Sequence, residues 1–180
     1  LFFVSSFIIS LLLELAGTKF GSLFGNYTYN LELFLGPKVK GVPIVIALSW
    51  SGLIYMSLIC TSLILDGTII SLINFNHILL ASFLITILDS ILDPIAVDEG
   101  RWSWNPPGKY YGVQIKNFLG WYFNSAVILL IFSLLATDHN PIVEYPNYII
   151  FAPGLLFIIL PVIAARPCLE RKLNIAAIIG

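Results

Sequence analysis

The chain has little charge. Of its 180 residues only 11% are Asp, Glu, Lys or Arg, where a soluble domain carries about 25%. That excludes an ordinary solvated surface, and the net charge of -1 offers no basic face, so nucleic acid is not an expected partner. Histidine is scarce as well. His77 and His139 stand far apart near the same side of the chain's hydrophobic spans, which argues against a His-rich di-iron site or a bis-His haem. The two cysteines, Cys60 and Cys168, show neither CxxC nor Cys/His spacing and read as inert residues of apolar stretches, not as a disulfide or metal site. A phosphate-binding glycine loop, a GxGxxG that opens a helix after a strand, and a GxSxG elbow are all missing, which disfavours redox chemistry on a bound flavin or nicotinamide. No cofactor and no metal is expected.

What the chain has in abundance is apolar sequence: 58% of residues are hydrophobic and the mean hydropathy is +0.94. No packed core needs so much, so the surrounding solvent must be lipid. With roughly 17–25 apolar residues needed per crossing, spans are expected at about 1–16, 42–65, 77–95, 118–136 and 148–165, with a sixth opening near Leu173. Asp66-Gly67 predicts a turn after the second span, and Pro141 and Pro146 break the chain between the fourth and fifth. The expected fold is an all-α polytopic membrane helical bundle, one domain over 1–180, with five to six spans, or seven in a longer chain. Leu1 is not a Met and already lies in apolar sequence, and the last residues, 174–180, are apolar too. The terminal helices are therefore expected to run on beyond both ends. Leu1–Leu15 lacks a basic leader and a cleavage site, so it does not read as a signal peptide.

The basic residues fall into a pattern. Lys19, Lys38 and Lys40 lie in the first connection, Arg101, Lys109 and Lys116 in the third, and Arg166, Arg171 and Lys172 after the fifth span. Five alternating spans put all nine on one side, and the positive-inside rule makes that side cytoplasmic. The protein is expected to be integral to the plasma membrane, with the loops 17–41 and 96–117 together on the cytoplasmic face.

Those loops adjoin the ionisable groups that lie at membrane depth, which suggest function by default. Glu14 lies near the end of the first span, and Asp89 and Asp93 near the end of the third. The two aspartates, one turn apart, share a helix face with Cβ atoms roughly 5–6 Å apart. Desolvation and like-charge proximity both disfavour the charged form of a carboxyl group, so one of the three is expected to keep its proton near neutral pH and to act as a general acid. The bland reading has Asp93 ending the helix before Pro94 and Glu14 reaching to the interface. Asp98 and Glu99 read as a solvated turn paired with Arg101. Asp66, Asp138 and Glu144, with His139, fall at the opposite face as turn and loop residues.

Asn117, Trp121 and Asn124 fall at i, i+4 and i+7, one stripe of the fourth span. Lipid offers amides no hydrogen bonds, so the stripe should face the bundle, where it could bind a water, orient an acid, or simply join helices. Trp102, Trp104, Tyr110 and Tyr111, with Tyr27 and Tyr29, would form either an interfacial belt or a set of aromatic faces that stabilise positive charge. Their clustering beside the acids favours the second role for some of them.

These residues resemble the carotenoid biosynthesis membrane-protein family, which includes bacterial carotenoid 1',2'-hydratases and the bisanhydrobacterioruberin hydratase type of haloarchaea. The matching elements are Glu14-Leu-Ala-Gly17-x-x-x-Gly21, Phe24-Gly25-x-Tyr27-x-Tyr29, Gly41-Val42-Pro43 leading to Trp50, Asp89-x-x-x-Asp93-Pro94, Trp102-x-Trp104, Tyr110-Tyr111-Gly112-Val113 and Asn117-x-x-Gly120-Trp121. Gln114 stands where the family usually shows Pro, and Ala47-Leu48-Ser49 where it often shows Pro-Leu. The resemblance implies a cofactor-independent membrane hydratase, a hydro-lyase that adds water across the terminal 1',2' double bond of an acyclic (ψ) carotenoid end group. Asp89, Asp93 and Glu14 would be catalytic. Tyr27, Tyr29, Trp50, Trp102, Trp104, Tyr110, Tyr111, Asn117, Trp121 and Asn124 would contact substrate. The implied partners are a lipophilic carotenoid, membrane lipid and other enzymes of the carotenoid pathway. Three other readings stand beside it. One is an intramembrane prenyltransferase that uses DxxxD to hold Mg²⁺ and a diphosphate. Another is a non-enzymatic carotenoid-binding or transport protein. The third is an end-group cyclase or isomerase that shares the cation but not the water.

Overall fold

The structure is a computed structural model that describes residues 2–21, 24–67, 73–135 and 147–180. Five long helices dominate: α1 (Phe2–Phe20), α2 (Ile44–Asp66), α3 (Phe75–Asp98), α4 (Ile115–Leu135) and α5 (Asn147–Glu170). All five are long and apolar enough to cross a membrane, the qualifying part of the last being Phe151–Glu170. The all-helical polytopic architecture read from the sequence is the one observed. The sixth span expected near Leu173 corresponds to a helix of six residues, α6 (Asn174–Ile179), which packs on α3 and α5. Pro141, Pro146, Asp138, His139 and Glu144 lie outside the described residues.

Local chemistry sets several helix ends. Gly67 at φ 67° closes α2 in the left-handed conformation that glycine adopts without steric cost, and its N–H bonds the Leu63 carbonyl. The Asn74 side chain accepts from the amides of Asn76 and His77 at the start of α3, which satisfies donors that the first turn leaves open. The third span, expected over 77–95, does not end at Asp93 as the bland reading of that residue had it. Pro94 lies inside α3, and the helix runs on to Asp98, because the carbonyl freed by the proline finds another donor (below).

The helices are apolar on nearly every side. Phe3, Ile8 and Leu12 of α1, Leu119, Phe123 and Leu134 of α4, and Leu155, Val162 and Ile163 of α5 are exposed, the surface that a bilayer would solvate. The inner surface carries the small and polar residues instead: Ser6 and Ser10 in α1, Ser57 and Thr61 in α2, Ser82 in α3, Asn124 and Ser125 in α4 are all buried. Helix α4 packs chiefly on α3, and α2 contacts α1, α3 and α5.

The two motif-rich connections meet at one end of the bundle. Strand β1 (Tyr27–Tyr29) pairs antiparallel with β4 (Trp102–Trp104), setting Tyr27 opposite Trp104 and Tyr29 opposite Trp102. A second ribbon, β2 (Lys38–Val39) with β3 (Val42–Pro43), turns through Lys40 and Gly41. Both turn residues have positive φ, 47° and 85°, the combination that a tight two-residue hairpin needs. The β1–β4 ribbon forms a roof over the ends of α1 to α4.

Candidate functional site

Under that roof lies a cavity of about 470 Å³ bounded by α1, α2, α3, α4 and the ribbon, with Leu160 of α5 on its wall. Its ionisable groups are Glu14, Asp89 and Asp93, and among the described residues that line it there is no Lys, Arg or His. The rest of the wall is aromatic and aliphatic, the ordinary make-up of a small-molecule site with a few converging polar groups.

Glu14 does not reach to the interface. It is buried at 4% exposure and accepts from three neutral donors on two elements, β1 and α2. Tyr29 Oη lies 2.7 Å from Oε2, the Trp50 indole N–H donates to Oε1 at 3.0 Å, and the Tyr27 hydroxyl also donates to Oε2. Burial first, and the adjoining Glu14 carboxylate second, push the Tyr27 and Tyr29 hydroxyls well above the ordinary tyrosine range, which keeps both as donors. Glycine at position 17, one turn after Glu14, makes this cluster possible. A Cβ there would lie 2.5 Å from Cδ2 of Phe24 and 3.3 Å from the Tyr27 hydroxyl.

Asp89 and Asp93 face the cavity from α3, and both are buried. One amide serves the two of them: Asn117 Nδ2 donates to Asp89 Oδ2 at 2.8 Å and to Asp93 Oδ2 at 2.6 Å. An NH₂ group has two protons to give, so this amide is fully spent on holding the carboxyl pair together. The α4 stripe continues with Trp121, whose ring stacks on Trp50 with centroids 3.8 Å apart and planes 12° apart. That stacked pair joins the Glu14 half of the cavity to the Asp89–Asp93 half. Trp104 is anchored by its indole N–H to the Phe24 carbonyl at 2.8 Å, and Trp102 packs edge-on to Tyr29.

Ten of the residues singled out from the sequence therefore share one cavity. Three do not line it. Tyr110 donates to the Ser90 carbonyl at 3.0 Å, Tyr111 accepts from the Ile175 amide at 3.0 Å, and Asn124 lies deeper in the bundle. The two tyrosines fasten the 99–114 loop to α3 and α6, a task set by tertiary packing. Glu99 pairs with Arg101 at 2.6 Å, as its turn predicts, while Asp98 and Glu99 also meet Arg171, just past the end of α5, at 3.2 and 2.9 Å. His77, expected to stand alone, meets Asp66 at 2.6 Å. Sequence reasoning missed Leu53, Met56, Leu92 and Leu160 in the cavity wall, since in a lipid-solvated helix an inward Leu carries no signal that an outward one lacks. Phe24 was visible only as part of a motif.

The carotenoid biosynthesis protein family matches residues 1–180. Bisanhydrobacterioruberin hydratase of Haloarcula japonica is 32% identical over 123 residues, 67% of this chain and 40% of that protein. The chain thus spans less than half the length of that curated relative. No solved structure matches. The chain, matched from end to end, belongs to the family of carotenoid biosynthesis proteins.

Proposed function

We propose that this protein adds water across the terminal 1',2' double bond of an acyclic carotenoid end group, with Asp89, Asp93 and Glu14 as its acid–base machinery. The observation that carries the reading is the composition of the cavity: three carboxyl groups fed by neutral donors, aromatic walls, and no basic residue among the described lining. Two carboxyl groups held by one amide in a water-poor site cannot both be charged at modest cost, so the Asp89–Asp93 pair holds a proton. That proton goes to C2' of the end group, its electron pair coming from the double bond. The tertiary cation left at C1' lies against the Trp50, Trp102, Trp104 and Trp121 rings, whose faces favour positive charge, and within the field of Glu14. Water then bonds to C1' and yields one proton to a carboxylate of the site, leaving a tertiary alcohol and restoring the acid. Glu14, whose oxygens already accept three hydrogen bonds, is the least free of the three to exchange a proton with the substrate and, in this reading, faces the cation. The name of the Haloarcula relative supports the reaction class. The prenyltransferase reading calls for a second Asp-rich motif beside Asp89-x-x-x-Asp93, and the sequence shows none.

The test is expression of the chain in a host that makes an acyclic carotenoid, with pigments separated by chromatography and weighed by mass spectrometry. Hydration adds one water to the pigment, whereas cyclisation or isomerisation leaves its mass unchanged and prenyl transfer adds carbon. Asp89→Asn and Asp93→Asn should each lower hydrated product by roughly 10²- to 10⁴-fold, the usual contribution of a positioned acid or base. Normal amounts of hydroxylated pigment from both variants would sink the mechanism.

A further inference from the structure

A hydration inside lipid needs water as well as acids, and a second polar layer lies just beneath the carboxyl groups. Asn124 is 1% exposed and neither end of its amide has a partner among the described residues; the buried hydroxyls of Ser10, Ser82 and Ser125 have none either. The contacts of the site fix the levels of these groups. Trp50 reaches Glu14 from α2 and stacks on Trp121 of α4, which puts Glu14, Trp50 and Trp121 at one depth. Ser10 is four residues before Glu14, and Asn124 and Ser125 are three and four after Trp121, each displaced by about 4.5–6 Å along its helix at 1.5 Å per residue. Asn117 contacts Asp89 and Asp93 on the antiparallel α3. From that contact Asn124 lies seven residues further along α4, and Ser82 seven residues before Asp89 on α3, each about 10 Å deeper. Four side chains from three helices thus fall in one band, about one turn below Glu14 and about two turns below the aspartates.

An amide and three hydroxyls left dry in such surroundings would lose the hydrogen bonds they make in water, whereas buried polar groups of this kind ordinarily hold a water. We propose that Asn124, with Ser10, Ser82 and Ser125, forms an internal water site within the α1–α3–α4 bundle, and that this site supplies the water that adds to the substrate. The second half of the proposal rests on the hydratase reading. The site lies off the substrate cavity, so a bound hydrocarbon would not displace its water. Asn117 and Asn124 then divide the labour of one helix stripe: the first holds the acids and the second the co-substrate.

Radiolytic hydroxyl-radical labelling of the purified protein tests the site without reference to activity, since bound water delivers oxygen to adjacent side chains that bulk water never reaches. Ile85, Ile128 and Leu129 are buried at 0–1% exposure beside the band, and Ile91, also at 0%, lies in a separate apolar cluster. Several-fold more oxygen on the first three than on Ile91 is the expected result, and Asn124→Leu or the milder Ser125→Ala should reduce it. Equal labelling of all four in the unaltered protein would overturn the site. Pigment analysis of the same two variants tests supply. A fall in hydrated product that parallels the fall in labelling is expected; full hydration with labelling lost would overturn the supply role. An unaltered protein that makes no hydrated pigment but shows the label would defeat the hydratase reading and the supply role with it, leaving the water site standing.

Discussion

The Tyr110 hydroxyl donates to the Ser90 carbonyl at 3.0 Å, and Ser90 is four residues before Pro94. In a helix that carbonyl would accept the N–H of residue 94, which a proline does not have. The loop therefore supplies from outside the hydrogen bond that the helix cannot make. This is why α3 passes through Pro94 and still carries Asp89 and Asp93 on one continuous face.

The first prediction concerns that bond. Tyr110→Phe should destabilise the protein by about 0.5–1.5 kcal/mol, the worth of an ordinary hydrogen bond. Burial first, and the neighbouring Tyr111 second, push Tyr110 up to about 12 from the usual 10.0. With the folded value raised above the unfolded one, the bond contributes fully below pH 10 and is lost as pH rises toward 12. The gap in thermal stability between wild type and Tyr110→Phe should be flat up to pH 10 and close above it. A gap that persists unchanged at pH 12 would contradict this account.

Gly17 gives a steric prediction. Gly17→Ala puts a methyl group 2.5 Å from the Phe24 ring, and Phe24 is 2% exposed against Trp50, so it has little room to yield. Overpacking of this kind costs about 1–3 kcal/mol. The variant should melt earlier in detergent and convert less pigment, because the displaced ring also crowds Tyr27. Gly52, whose added Cβ would meet nothing within 4 Å, is a fitting control for stability: Gly52→Ala should melt no earlier than wild type.

The Glu14 donors should prove only partly redundant. Tyr27→Phe or Tyr29→Phe leaves two of three hydrogen bonds to the carboxylate, and each bond to a charged group is worth roughly 1.5–3 kcal/mol. Either single change should lower stability by an amount in or below that range, whereas the double change should cost more than the sum, since Glu14 would then keep only Trp50. Thermal melts of the four-member cycle measure this coupling. Strict additivity would mean that the three donors do not act on one charge.

The spans could be read from sequence because hydropathy is a local property: about twenty apolar residues suffice to mark a crossing wherever it packs. The basic residues likewise fixed which connections share a face, and the β1–β4 ribbon joins two of them directly. Legibility ended where partners lie far apart in the chain. Glu14 meets Tyr27, Tyr29 and Trp50, which are 13, 15 and 36 residues away, and no periodicity specifies such pairings. Tyr110 and Tyr111 looked the same as Tyr27 and Tyr29 in sequence, all four being loop tyrosines in aromatic company. Only the course of the loop separates the two that line the cavity from the two that hold α3 and α6.

By itself, then, the sequence determined a membrane-spanning helical bundle with three acids near one face, because lipid makes apolar length and misplaced charge conspicuous residue by residue. Only the tertiary structure decided that Asn117 is shared by Asp89 and Asp93, that Trp50 stacks on Trp121, and that Asn124 lies below the cavity with its amide unmet among the described residues. Those facts depend on how four helices rotate and slide against one another. That is set by close packing of side chains between helices, as of Trp50 on Trp121, not by the hydropathy that puts the helices in the membrane.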